Sequence, residues 1–294
     1  MKKIAIIGAN SSLAKSFILY LDKKQEVELK LYDIQPSDSW KGKQYQRINF
    51  MIPESLDLID YNCDLMYIFS GLTGTVRGFD NYADYIDINE KGLVSLLNCA
   101  AQRQTGCRII YPSSRLVYKS IGKQLSEESE LECRSIYAVN KMAAEQYIRA
   151  YGNVFGLAFT IFRIAIPFGT VGEEEAHYGI VSVLKEQAEK RGIITLYGGG
   201  EGLRTFTHIE DICEVLYRGG NHEKTKNGIF NIGGYTCSLR ELAERIAARY
   251  GAEIQTVPWP ELYGKVDVPD GWLNSGKLDG ILKMKYRNFD KENF

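Results

Sequence analysis

From residue 3 to residue 165, short apolar runs alternate with segments of helical period, and this alternation restricts the fold more than any other feature. KIAIIG (3–8), VELKLYD (27–33), DLMYIFSG (64–71), CRIIYPSS (107–114) and LAFTIFRIA (157–165) read as strands. SLAKSFILYLDKK (12–24), NEKGLVSLLNCAAQR (89–103) and IYAVNKMAAEQYIRAYG (136–152) carry apolar residues at helical spacing, the last with Gly152 as its predicted stop. A strand that returns parallel to its predecessor needs a crossover, usually a helix, so the pattern predicts an α/β chain with a doubly wound parallel sheet. After Ile166 glycine and proline become denser and the elements shorten. LRTFTHIEDICEVLYRG (203–219) and GIFNIGG (228–234) then return to strand–helix–strand order. The division expected is a core of residues 1–165 plus 204–230 and a smaller, discontinuous cap of 166–203 plus 231–294.

Of the 294 residues 45% are hydrophobic and 25% charged, as in a globular protein with a substantial core. The net charge of −1, without basic or acidic blocks, argues against nucleic acid and anionic membrane as partners. No run approaches the roughly 20 apolar residues of a membrane span, and the N-terminal apolar run is too short for a signal peptide. The six cysteines form no CxxC pair, and His177, His208 and His222 are far apart. Neither a metal site nor a disulfide framework is expected, and the thiols suit a reducing cytoplasm.

The first strand leaves through Gly8-Ala9-Asn10-Ser11-Ser12-Leu13-Ala14. In a dinucleotide-binding turn of GxxGxxG spacing, the first glycine permits the bend, the second admits the pyrophosphate and the third lets helix pack on sheet. Gly8 is present, Ser11 takes the second place and Ala14 the third. Ser11 crowds the phosphates but brings a hydroxyl beside the helix N-terminal amides. By itself this is as compatible with an ordinary strand–turn–helix as with a binding site. Asp33, about twenty residues further on at the end of the second strand, adds a carboxylate that would hold the adenosine ribose and repel a 2′-phosphate. A plain surface aspartate is the alternative.

Tyr137 and Lys141 lie four apart, on one helix face. Tyr20 and Lys24 match the same spacing, but only Tyr137 opens its helix about twenty residues after a strand ending in Ser113 and Ser114. Strand carboxyl ends are where α/β sheets place ligands.

With these residues in place, the chain resembles an extended short-chain dehydrogenase/reductase of the NAD-dependent sugar-nucleotide epimerase/dehydratase family. The likeness runs over nearly the whole chain. It rests on Ser113-Ser114-Arg115-Leu116-Val117-Tyr118-Lys119 for SSxxVYG, on Tyr137 to Lys141 for YxxxK, and on Asn89 to Gly92. FRIAIPFG (162–169), RTFTHIED (204–211) and FNIGG (230–234) complete the order. The resemblance implies a Rossmann-type core with a substrate-binding cap and NAD as cofactor. NAD would be held by Gly8, Asn10, Ser11, Ser12 and Leu13 at the turn and by Asp33 and Ile34 at the second strand. Phe69, Ser70, Gly71, Ala165, Tyr137 and Lys141 would complete its contacts, with Asn89 bonding the backbone behind them.

Tyr137 would be the general acid/base, Lys141 its electrostatic partner and Ser114 a hydrogen-bond donor to the reacting oxygen. A phenol near pKa 10 needs about 4 kcal/mol to act at neutral pH. An ammonium about 5 Å away, at an effective dielectric near 20, supplies around 3 kcal/mol. A nucleotide-diphosphate sugar is the implied substrate, met by Ser114, Arg115, Ile166, Arg204 and Lys265. Arg204 would clamp the diphosphate, with a surface salt bridge as its alternative. His208 is expected to pack or bond locally, and Asp211 to cap the following helix.

Dehydratases of the family carry Asp-Glu where this chain has Arg115-Leu116, and Asp33 disfavours the NADPH of ketosugar reductases. Epimerisation fits best; a reductase or dehydratase is the alternative, and a non-catalytic NAD sensor the third. Ile166 replaces an asparagine that contacts the nucleotide sugar, and Lys265 stands where a second diphosphate arginine is expected. The helices in 81–102 and 136–151 resemble a pair that forms a four-helix homodimer contact.

Overall fold

The computed structural model describes the chain apart from residues 25, 37–39, 172–173, 176–178, 268–269 and 290–294, with 174 and 175 described by backbone alone. His177, noted above, lies outside the described residues. Among the described residues, seven parallel strands form the central sheet: β1 (Lys2–Ile7), β2 (Val27–Asp33), β3 (Gln44–Arg47), β4 (Leu65–Ile68), β5 (Arg108–Ser114), β6 (Phe159–Ile164) and β7 (Gly228–Asn231), in the spatial order 7-6-5-4-1-2-3. This is the doubly wound Rossmann-type sheet expected from the alternation.

Period-two packing explains why the strands read as continuous apolar runs. On β1, Ile4 and Ile6 face one core with Phe17, Tyr67, Phe162, Ile212 and Leu216. Ala5 and Ile7 face the other with Met66, Leu96, Leu97, Ile109 and Ile148. Each face is covered by helices, α1 (Ser12–Asp22) and α4 (Ile209–Asn221) on the first, α2 (Leu93–Gln102) and α3 (Ile136–Phe155) on the second. Each fully buried aliphatic or aromatic side chain contributes roughly 1.5–3 kcal/mol, which makes the sheet the rigid element of the molecule.

Helix α3 runs past its predicted stop. Gly152 is inside the helix, where a Cβ would come within 2.7 Å of the Phe159 ring, so this glycine serves helix–strand packing. The left-handed cap is Gly156, with φ 73°.

Strand Leu203–His208 pairs with Ile166–Phe168 and Tyr235–Ser238, so the division drawn at residue 204 falls within a strand of the smaller sheet. Helices Ile180–Arg191 and Leu239–Tyr250 close over that sheet around Phe168, Leu184, Leu196, Phe206, Leu242 and Phe289. Among the described residues no helix is long and apolar enough to cross a membrane.

His208, rather than Asp211, caps α4: its Nδ1 accepts from the Glu210 amide at 3.2 Å, and burial lowers its pKa to about 4, leaving the ring neutral. Asp211 instead holds the C-terminal segment through the backbone and guanidinium of Arg287.

Candidate active site

Strand order reverses direction between β1 and β4, and the carboxyl ends of a doubly wound sheet part at such a point to leave a crevice. Gly8 ends β1 there with φ 87°. A Cβ on it would lie 2.4 Å from the Ser70 nitrogen, so the glycine lets the exits of β1 and β4 close on each other as well as letting the chain turn. Ser11 caps α1 by accepting from the Ala14 amide at 3.4 Å, which occupies a lone pair and leaves its proton to donate.

Two hollows flank this junction. The smaller, of about 190 Å³, is lined by Gly8, Asp33, Ile34 and Ser70 together with Ile48, Asn49, Phe50 and Met51. The larger, of about 400 Å³, is lined by Asn10, Ser11, Ser12, Leu13, Phe69, Gly71, Ser114, Tyr137, Lys141 and Ala165. Every residue anticipated for cofactor or chemistry except Asn89 thus borders one hollow or the other. The hollows suit a dinucleotide: a helix N-terminus points its amides at the junction, Gly8 clears the approach, and Asp33 places a carboxylate at the rim. Asp33 itself accepts from the amides of Asn10 (2.9 Å) and Gln35 (3.0 Å), which fixes its orientation. The Asn10 side chain also bonds the Trp40 indole at 3.0 Å and the Tyr45 hydroxyl at 3.1 Å, tying the segment after β2 to the turn.

Asn89 stands behind the larger hollow. Its amide oxygen accepts from Leu72 N at 2.7 Å and its nitrogen donates to Leu72 O at 3.0 Å, fastening the loop that follows Gly71. It lies in a π-helical segment, Asp87–Gly92, which no sequence pattern announced.

Tyr137 begins α3, capped by Ser135, and lines the same cleft as Ser114, whose hydroxyl acts to favour the phenolate. Lys141, one turn along, donates to the Pro112 carbonyl at 2.7 Å; its ammonium is 4.4 Å from the Tyr111 ring centre and 5.8 Å from that of Tyr137. Burial raises Tyr137 to about 12 and lowers Lys141 to about 8. The expected lowering of Tyr137 by Lys141 is not seen in the protein alone: burial raises the phenol and Ser114 is the group that opposes it. The cleft floor disfavours both charged forms, and the ammonium is drawn toward Pro112 and Tyr111. The other Tyr–Lys pair is remote from this chemistry: Lys24 sits 4.7 Å over the Tyr20 ring, near Tyr217.

The anticipated substrate contacts are less gathered. Arg115 and Arg204 are both buried, close enough for their charges to repel, and Asp267 bonds Arg204 at 2.7 Å. Burial and Arg204 together lower Arg115 to about 10, still charged at neutral pH. Lys265 is exposed and paired at 2.5 Å with Glu261 one turn away, while Asp267, two residues on, reaches Arg204. Ile166 is half-buried in the strand beside Phe206. Tyr118 is fully buried and donates to Asn231 at 2.7 Å, a structural position rather than a cleft one. Residues that the sequence left unnoticed are Asn49, Phe50 and Met51 in the smaller hollow and Thr73 and Pro167 in the larger. All five lie in connecting segments or a short strand, where no periodicity marks a position.

The family model of the NAD dependent epimerase/dehydratase family matches residues 4–233. The CDP-paratose 2-epimerase of Salmonella typhi is 29% identical over 209 residues, 63% of this chain and 61% of that protein, so the match spans about three-fifths of the relative. The structure of Pal from Bacillus thuringiensis has a TM-score of 0.87 at 18% identity, covering 99% of this chain and 96% of that one. MoeE5, solved in complex with UDP-glucose and NAD, has a TM-score of 0.82 at 20% identity, covering 99% and 95%. At these identities the structural likeness bears on the fold.

Proposed function

Because the chain belongs to the NAD-dependent epimerase/dehydratase family, we propose that it inverts one carbon of a nucleotide-diphosphate sugar. The observation that carries this reading is the convergence of Ser114, Tyr137 and Lys141 on one cleft beside the Gly8 turn, with Arg115 and Leu116 in place of an acid pair. When bound, NAD supplies the hydride chemistry. Asp33 holds its adenosine ribose, and the turn from Asn10 to Leu13 receives its diphosphate. Tyr137 takes the proton from the reacting sugar hydroxyl and returns it, and Ser114 holds that oxygen while its charge changes. Lys141 bonds the nicotinamide ribose and, as an ammonium, stabilises the phenolate of Tyr137. Arg204 and Arg115 meet the substrate's phosphates. Without an acid pair next to Ser114, elimination of a sugar hydroxyl has no proton donor at that place.

A panel of UDP-, dTDP- and CDP-hexoses deuterated at the ring carbons, incubated with NAD-loaded protein in ordinary water, tests the assignment. The expected product is an epimer that keeps its deuterium, with no net NADH formed, read by mass spectrometry and NMR. Loss of water would make the protein a dehydratase, stoichiometric formation of NADH and a ketosugar a reductase run in reverse, and no turnover of any sugar a sensor; each outcome overturns the proposal.

We also propose a homodimer. Phe79, Tyr82 and Ile86 ahead of α2 and Val139 on α3 are exposed, although Tyr85 beside the first three is buried and α3 buries Ala144 and Ile148 in the core. Light scattering should return twice the chain mass of 33.3 kDa, and a monomer would remove this part of the proposal.

A further inference from the structure

The residues that carry the proton chemistry stand on a strand–helix ladder with one rung more than that chemistry uses. Three successive residues of β5 each meet one residue of α3. Ser114 lines the cleft with Tyr137, the Pro112 carbonyl accepts from Lys141 at 2.7 Å, and the Ser113 hydroxyl donates to Glu145 at 2.5 Å. The helix partners are spaced by four, so the rungs repeat along one face, one turn apart. Glu145 is fully buried and is braced from β6 by Arg163, through Nε to Oε1 at 3.0 Å and Nη2 to Oε2 at 2.6 Å. Arg163 in turn donates to Tyr118 at 2.7 Å.

We propose that Glu145, braced by Arg163, is a positioning residue: it sets the register of α3 on β5 and keeps Lys141 in its ammonium form beside Tyr137. The inference rests on the reading of Lys141 as part of the proton-transfer apparatus. Desolvation strips the proton from a buried lysine unless a negative group opposes it. Tyr111 on β5 and Tyr137 on α3 face Lys141 as neutral phenols. Glu90 is engaged with Asn140 and Tyr147 on a neighbouring flank of α3. Glu145 is the carboxylate on the lysine's own face, one turn along α3, and Arg163 reaches it from β6. A buried ion pair is a weak source of stability, because desolvation offsets its attraction. Its effect on Lys141 and Ser113 gives this pair a use that stability does not.

Trace acetylation with acetic anhydride across pH 6–11, read by peptide mass spectrometry, gives the pH at which Lys141 becomes half-reactive. It needs no sugar, so failure to find a substrate leaves it unaffected. The wild-type midpoint is expected at about 8. Glu145→Gln removes the negative neighbour, destabilises the ammonium and should lower the midpoint by roughly one pH unit. Glu145→Asp keeps the charge and should restore most of that difference. If Glu145→Gln does not fold, the double variant Glu145→Gln/Arg163→Gln leaves no unpaired charge. It should also lower the midpoint, because the carboxylate that favours the ammonium is gone. A midpoint equal to wild type in a folded variant lacking the carboxylate overturns the proposal, whatever happens to turnover.

Discussion

Replacing Tyr137 by phenylalanine is expected to lower kcat by roughly 10³-fold while the protein stays folded and binds NAD. The ring is kept, and with it the packing at the start of α3; the loss is one hydroxyl in the cleft that Ser114 also lines. A phenol pushed up to about 12 is a poor base by itself, so its proton must leave as charge is stabilised around it. Lys141, drawn down to about 8, is charged at neutral pH and loses its proton as the pH rises through that value. The residual rate of the variant should thus not recover in alkaline solution, since there Lys141 no longer carries the positive charge that favours the ionised oxygen. Single-turnover measurement on the nucleotide sugar found active in the panel separates the cases. A variant that keeps more than about a tenth of the wild-type rate would mean that Tyr137 positions the sugar without moving a proton. A protein that senses NAD without turnover would show no dependence on this hydroxyl at all.

Much of this is legible because the sheet is buried on both faces. Ile4, Ile6, Met66, Ile68, Ile109 and Ile161 pack on two opposite cores, so their strands carry near-continuous apolar runs that stand out from any helix. Strand β3 carries no such signal: Gln44–Arg47 is a half-exposed edge whose polar residues meet water on both sides. Gly152 is legible as a glycine but not as a contact, since its reason lies across the fold in Phe159. Asp211 occupies a cap-like position, yet its partner is Arg287, distant in sequence. The triad is legible because its spacing is local to one helix and one strand end. Glu145 escapes notice because a helix glutamate normally faces water. A trace of it is present all the same: Arg163 interrupts the otherwise uncharged strand FTIFRI, and a charge inside a buried strand requires a counter-charge nearby.

Gly8→Ala should cost about 3–5 kcal/mol of stability and abolish measurable NAD binding, through one added methyl group. Two penalties combine. At φ 87° an L side chain is strained, worth roughly 1–3 kcal/mol. The new Cβ would also meet backbone on another strand exit, at 2.4 Å from Ser70 N, 2.6 Å from Ser70 Cα and 2.8 Å from Phe69 C. Backbone cannot swing aside as a side chain does, so β1 and β4 must part, and overpacking of this kind costs roughly 1–3 kcal/mol more. Their parting moves Asp33 relative to Ser70 and opens the junction against which a dinucleotide would lie. Gly251 supplies the control: its φ is 67°, but a Cβ there meets nothing within 4 Å, so Gly251→Ala carries the strain without the collision. At roughly 2–4 °C per kcal/mol, Gly8→Ala should lower Tm by about 10 °C, several degrees more than Gly251→Ala. Equal losses in the two variants, with NAD binding intact in both, would show that β1 and β4 tolerate separation and that the turn does not depend on their close approach.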